Sequence, residues 1–193
     1  MFFFKHINIA NNNKCFLTFI LFYIIKLNIV YSQDSVYQKF YFDSKEVSSE
    51  GFLINGIPDG KWISYYENKN IKSEGFWKNS LLDSTWIFYD SSGRVTLEEN
   101  YSKNLKNGLS IFYDTIGFKI KESNYVDGKK TGTELLYFIG TNKIKEENNF
   151  KNGIKDGVSL EYNKNRQLIT IYNFDMGVVY KKEEINRLDS EGN

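Results

Sequence analysis

Cysteine, histidine and proline each occur once in this chain of 193 residues, as Cys15, His6 and Pro58. Cys15 and His6 both fall within the first 32 positions. From Gln33 onward the chain has neither thiol nor imidazole. That excludes disulfides, thiolate or imidazole metal sites, cysteine nucleophiles and every histidine-based acid–base scheme from this part of the protein. A block of basic charge is missing too. The formal net charge is +1, but the first 32 residues hold Lys5, Lys14 and Lys26 and no acid, which leaves 22 basic against 24 acidic residues, a net −2. A nucleic-acid surface needs a basic stripe that neutralises phosphates, so no nucleic-acid partner is expected.

Long apolar runs are scarce as well. Cys15–Ile25 (CFLTFILFYII) spans eleven residues, the length of a signal-peptide core, whereas a membrane-spanning helix needs about 20. Lys5 and Lys14 precede the run and Lys26 interrupts it. Ser32 offers a small residue at a cleavage point. Residues 1–32 are therefore expected to be a signal peptide, and the protein to be exported to the periplasm, cell envelope or medium. The alternative is a retained anchor, which would be the only membrane contact. Cys15 opens the apolar core, whereas acylated cysteines follow it, so lipidation is not expected.

What the sequence has in quantity is aromatic residues and turn formers: 14 Tyr, 16 Phe and 14 Gly. The first group favours strands and the second punctuates them. The aromatics recur. Tyr41, Tyr65, Tyr89, Tyr113, Tyr137 and Tyr162 form one ladder, and Phe52, Phe76, Tyr101, Tyr125, Phe150 and Phe174 a second, both at steps of 24 or 25 residues. Gly60, Ser84, Gly108, Gly132 and Gly157 each stand five residues before a tyrosine of the first ladder. A fixed period of this length signals a stacked repeat architecture. The expected fold is all-β: an elongated antiparallel sheet of about five β-hairpin units of ~24 residues, spanning residues 36–182. Val36–Phe42 and Val178–Lys182 would be its end strands, and the polar segment 183–193 a frayed tail.

Within each unit, one strand (Gly60–Glu67 in the first) should turn through Asn68-Lys69-Asn70 into the next (Ile71–Lys78). The return turns are expected at Asn55-Gly56, Asp59-Gly60, Asp127-Gly128, Asn152-Gly153 and Asp156-Gly157, because primed hairpin turns need positive φ. Pro58 would sit in such a turn, where its missing N–H costs no ladder bond. The motif Gly60-Lys61-Trp62-Ile63-Ser64-Tyr65, repeated as Ser84-Thr85-Trp86-Ile87-Phe88-Tyr89, resembles MORN-type repeats built on Gly-x-Trp-x-x-Tyr. Ser110, Glu134 and Ser159 depart from it at the tryptophan position. The resemblance covers about residues 40–182. It implies a sheet of stacked hairpins acting as a scaffold, and one branch of the family, the YwqK type, carries an antitoxin label.

Strand residues alternate between faces. Ile63/Tyr65 and their counterparts Ile87/Tyr89, Ile111/Tyr113, Leu135/Tyr137 and Leu160/Tyr162 put one apolar ridge on one face in every unit. The opposite face shows Trp62, Tyr66, Trp86, Phe88 and Phe112 early, and Glu134, Ser159, Glu161 and Asn163 beside Leu136 and Phe138 late. A requirement shared by all units should repeat in all of them, so these five aromatics form a candidate partner-binding patch, with packing as the competing role. Charges on the return strands, such as Lys72/Glu74 and Lys121/Glu122, are expected to pair across strands. The Asp-Gly turns lack the alternating ligands of a calcium loop, and a single sheet is expected to offer no cleft. No catalytic residue, cofactor or metal is therefore expected. The leading expectation is a non-catalytic, exported interaction module with a protein partner. Neutralisation of a toxin, as the antitoxin branch implies, and glycan stacking on Trp62/Trp86 are the alternatives.

Overall fold

A computed structural model describes residues 34–185. The proposed signal segment and the end of the tail lie outside these described residues. Strands β1 (Ser35–Tyr41), β2 (Val47–Ile54), β3 (Ile57–Tyr65), β4 (Ile71–Lys78) and β5 (Leu81–Tyr89) open the fold. It continues through β6 (Val95–Ser102), β7 (Leu105–Tyr113), β8 (Lys119–Val126), β9 (Lys129–Tyr137) and β10 (Ile144–Lys151). Then come β11 (Ile154–Lys155), β12 (Gly157–Tyr162), β13 (Leu168–Asp175) and β14 (Val178–Glu184). All 14 form one sheet, antiparallel throughout and in sequence order, with the short β11 paired beside β10. The expected all-β array of hairpin repeats is the observed fold.

Two kinds of connection alternate, and local chemistry explains both. At one end of the strands lie two-residue turns: Asn55-Gly56, Asn79-Ser80, Lys103-Asn104, Asp127-Gly128, Asn152-Gly153 and Met176-Gly177. Both residues of every one have positive φ, between 47° and 88°. That is the type I′ geometry, whose twist matches the strands it joins. At the other end, five residues connect the strands, as in Tyr66–Asn70, except between β9 and β10, where Phe138–Lys143 is one residue longer. The Tyr66 N–H donates to the Asn70 carbonyl, and the Tyr66 carbonyl accepts from Lys69 N–H, both at 2.9 Å. The fourth residue of these turns is left-handed: Lys45, Lys69, Gly93, Gly117 and Arg166. Asp90, Asp114 and Asn163 open three of them, and each side chain accepts two backbone N–H bonds from within its own turn.

Asp59-Gly60 and Asp156-Gly157 are not return turns. Gly60 lies inside β3, and Gly157 begins β12 after the break that follows β11. Gly60, Ser84, Gly108, Gly132 and Gly157 all have positive φ, and they mark bulges. Opposite Gly51–Leu53 of β2, for example, β3 runs from Trp62 to Pro58 and carries the extra residues. An Asp-Gly pair suits a bulge as well as a turn, because both require positive φ. Pro58 likewise lies in β3, opposite Leu53 and next to the bulge, a place where a missing N–H is tolerated. β3 accordingly runs from Ile57 to Tyr65, not from Gly60 to Glu67.

The bulges also split the second aromatic ladder. Phe52 and Phe76 are exposed and share the face of Tyr37 and Lys61, their cross-strand partners. Tyr101 instead lies opposite Lys106 on the other face, where its hydroxyl bonds Glu99. Counted from the I′ turns, Phe76 corresponds to Asn100, and Trp77 to Tyr101. A step of 25 in place of 24 moved the aromatic to the opposite face. Asn100 and Asn149 take the phenylalanine position and donate to the bulge carbonyls of Leu109 and Val158 at 2.8 and 2.7 Å. At the end of the array, β14 runs on to Glu184, with Ile171 opposite Glu183 and Thr170 opposite Glu184. The ordered sheet thus extends two residues past the expected boundary.

Ser84 is the one bulge residue of this series with a side chain, at φ 60°. A left-handed non-glycine costs roughly 1–2 kcal/mol. Ser84→Gly is expected to raise the urea midpoint by the equivalent of about 1 kcal/mol with an unchanged slope.

Candidate functional site

The two faces do different work. On the tyrosine face, each tyrosine of the first ladder from β3 onward donates its hydroxyl to a glutamate 15 residues earlier, diagonally across the neighbouring strand. Tyr65 bonds Glu50 at 2.6 Å, Tyr89 bonds Glu74 at 2.7 Å and Tyr113 bonds Glu98 at 3.0 Å. Tyr137 bonds Glu122 at 2.6 Å and Tyr162 bonds Glu147 at 2.9 Å. Tyr41, on the edge strand, is exposed. Lysines join from the other side: Lys39, directly opposite Glu50, lies 3.0 Å from it, and Lys61, on the other diagonal, lies 2.9 Å from Glu74. The sequence reading expected lysine–glutamate pairing but missed the tyrosine partners. Their signal was present: Glu50, Glu74, Glu98, Glu122 and Glu147 recur at the tyrosine period.

This arrangement raises the tyrosines and lowers Glu50, Glu74 and Glu122. Burial, then the bond to the carboxylate, pushes Tyr65, Tyr89 and Tyr113 from 10.0 up to about 12. Tyr137 and Tyr162 are raised by the same causes. The Tyr65 hydroxyl and then Lys39 hold Glu50 below the usual carboxylate range. Lys61 and then Tyr89 do so for Glu74. Burial pushes Glu122 up, but Lys119 and Tyr137 together outweigh it and its net shift is downward.

Down the middle of the other face runs a single row, one residue deep. Trp62 lies opposite both Gly51 and Gly75. Its ring covers Gly51, where an added Cβ would meet Trp62 Cε3 at 2.2 Å; the Trp86 ring covers Gly75 just as closely. Trp86 is 5% exposed, the only large apolar side chain buried to that degree among the described residues. Its indole N–H donates to the Phe76 carbonyl at 3.1 Å. Farther along, the row turns polar. Glu99 is buried and bonded by Lys106, Tyr101 and Ser110. Glu134 is buried and bonded by Lys130 at 2.5 Å and Ser123 at 2.6 Å. Where a tryptophan stood on glycine, a carboxylate now stands beside serine. The lysines also lie over rings, Lys130 at 4.3 Å from the Phe150 centroid and Lys106 at 5.4 Å from that of Tyr125.

The five expected patch residues divide. Trp62 and Trp86 belong to this central packing row, and Trp86 is not exposed as a patch would require. Tyr66 lies in the turn after β3 and donates its hydroxyl to the Tyr89 carbonyl at 2.8 Å. Phe88 and Phe112 are half-buried and lie in a parallel row, each opposite Leu97. In that row the preceding strands carry Ser49, Ser64 and Ser73, and the last strands carry Glu146, Glu161 and Thr170. Lys121 stands over the Phe112 ring at 4.1 Å. Contrary to expectation, the sheet does carry a concavity, a groove of about 280 Å³ on this face near its C-terminal end.

Neither protein-family models nor curated proteins provide a match to this chain.

Two outcomes are expected. Gly75→Ala should destabilise the sheet by about 1–3 kcal/mol, because the Trp86 ring has to move off the strand; equilibrium denaturation measures it. Stability should also hold level between roughly pH 5 and pH 10 and fall on both sides. On the alkaline side, the raised tyrosine values give a contribution complete below 10 that is lost as pH climbs to about 12. On the acid side, the lowered Glu50, Glu74 and Glu122 give a contribution present above 4.5 that is lost as pH falls through their folded values. Denaturation midpoints across pH, beside tyrosinate absorbance, check both limbs. Tyrosines that all ionise at 10 would remove the alkaline one.

Proposed function

We propose that the chain is an exported, non-catalytic interaction module that holds a protein partner at the cell envelope through the aromatic stretch of its tryptophan face. The supporting observation is the row Phe88–Leu97–Phe112. The same row is built of Phe40, Ser49, Ser64 and Ser73 in the preceding strands and of Lys121, Leu136, Glu146 and Glu161 in the later ones. The sheet forms with serine or glutamate there, so folding does not account for the aromatics. Rigidly held aromatic side chains with a neighbouring cation, here Lys121, are the usual anchors of protein interfaces. At the C-terminal edge of the array, β14 carries Lys181, Lys182, Glu183 and Glu184, which discourages pairing through that edge. The resemblance to MORN-type scaffolds and the signal-like N-terminal segment favour the same reading.

Phe88→Ser/Phe112→Ser tests it, because serine already occupies this row elsewhere. The expected outcome is near-normal melting, with loss of one protein that the wild-type mature chain (Gln33–Asn193) captures from its own cell envelope. Trp86→Ala should instead cost about 3–5 kcal/mol of stability. Capture of the same protein by wild type and the Phe88/Phe112 variant would reject this surface. Capture of a toxin would specify the module as an immunity factor. Quenching of tryptophan fluorescence by sugars, with no protein captured, would replace a protein partner by a glycan.

A further inference from the structure

The array builds one polar cluster three times, and the third copy lacks its acid. The first joins Lys106, Glu99 and Ser110, and the second joins Lys130, Glu134 and Ser123. At the next repeat the same positions hold Lys155, Asn148 and Ser159. Lys155 Nζ donates to Asn148 Oδ1 at 2.8 Å and makes no ion pair among the described residues. Ser159 is 3% exposed, and its buried Oγ has no hydrogen-bond partner. In both complete clusters a carboxylate satisfies the lysine and the serine together. Here both are left waiting for one, and leaving a buried polar group unpaired is costly.

A complementary gap lies one alternation along the same strands. Glu146 and Glu161 are directly opposed on β10 and β12, and like charges so placed repel. Glu146 has Lys145 at 3.0 Å. Glu161 has no ion pair among the described residues, only the Tyr172 hydroxyl at 3.5 Å. Equivalent positions in earlier units carry Ser49 and Ser64, Ser73 and Phe88, Leu97 and Phe112, or Lys121 and Leu136, so the fold does not call for two acids there. All of these groups line the groove of about 280 Å³, whose far wall is Tyr172, Phe174 and Val179. A space this small suits a ligand below drug size.

We propose that this groove binds a free α-amino acid. Its carboxylate takes the place of the missing glutamate at Lys155 and Ser159. Its ammonium points toward Glu146 and Glu161, whose backbones lie two residues, or about 6.7 Å, along the strands from Asn148 and Ser159 and whose side chains reach back to it. An apolar side chain rests against Tyr172. The zwitterion neutralises both gaps at once, which neither an amine nor an acid alone does. Glu146 and Glu161 belong to the same cross-strand row as Phe88 and Phe112 but lie on β10 and β12, beyond Lys121 and Leu136, so this binding does not depend on the two phenylalanines.

Calorimetric titration of the full chain with L-phenylalanine, 3-phenylpropanoate and phenethylamine tests the proposal. L-Phenylalanine should bind saturably, and each half-ligand at least about tenfold more weakly, since each loses one charged set of bonds. Ser159→Ala, which deletes only the unpaired hydroxyl, should melt no lower than wild type without ligand and bind phenylalanine more weakly. Lys155→Met should weaken phenylalanine but not phenethylamine, and Glu161→Gln should weaken both. Absence of saturable heat at about 10 mM phenylalanine would overturn the proposal. So would phenethylamine binding as tightly as phenylalanine, or wild-type phenylalanine affinity in all three variants. Phe88→Ser/Phe112→Ser should leave this binding unchanged.

Discussion

A lone sheet has no second layer to bury against, and the rest of this structure follows from that constraint. Each side chain can be covered only by neighbours on its own strand and the two beside it, at about 4.8 Å spacing. Burial on such terms is shallow: Trp86 is the one large apolar side chain below a tenth exposed among the described residues, and the other buried groups include Ser110, Ser123, Glu99 and Glu134. Stability must then come from many small interfaces added in series, as in other repeat arrays. The Tyr–Glu bond recurs once in each repeat, at every second strand interface, where it adds a hydrogen bond to what a half-covered leucine could supply.

The two faces answer this constraint differently. The tyrosine face repeats one solution, a phenol over its own aliphatic neighbours with its hydroxyl on a carboxylate. The tryptophan face uses two. Trp62 and Trp86 flatten onto Gly51 and Gly75, filling the central row with large rings over bare backbone. Beyond Trp86 the row is filled by Glu99 with Ser110 and Glu134 with Ser123, whose charges are answered by Lys106 and Lys130. Breaking a buried pair exposes a charge to an apolar surrounding, so such clusters also hold strand register. Variation within this row is what lets successive units of one scaffold differ in surface chemistry without changing fold.

Much of this was legible in the residues. The Tyr65 ladder, the Asn55-Gly56 and Asp127-Gly128 turns and the antiparallel hairpin repeat followed from period and turn chemistry alone. The second ladder was misread because two structurally different positions, that of Phe76 and that of Trp77, happen to carry aromatics one residue apart. Asp59-Gly60 was misread because positive φ serves a bulge as well as a turn. Trp86 looked like an exposed patch residue because nothing in its own strand shows that the partner position, Gly75, is empty of side chain.

The sequence by itself determined the elements: the repeat length, the antiparallel hairpins and the tyrosine face, all set by local periodicity and by turns that only certain residues can make. Only the tertiary structure decided the pairings. The bulges at Gly60, Ser84, Gly108, Gly132 and Gly157 shift each strand against the one before it, and a shift of one residue exchanges the faces. That register brings Tyr89 to Glu74, lays Trp86 on Gly75, and leaves Lys155 and Ser159 side by side without the acid their counterparts have.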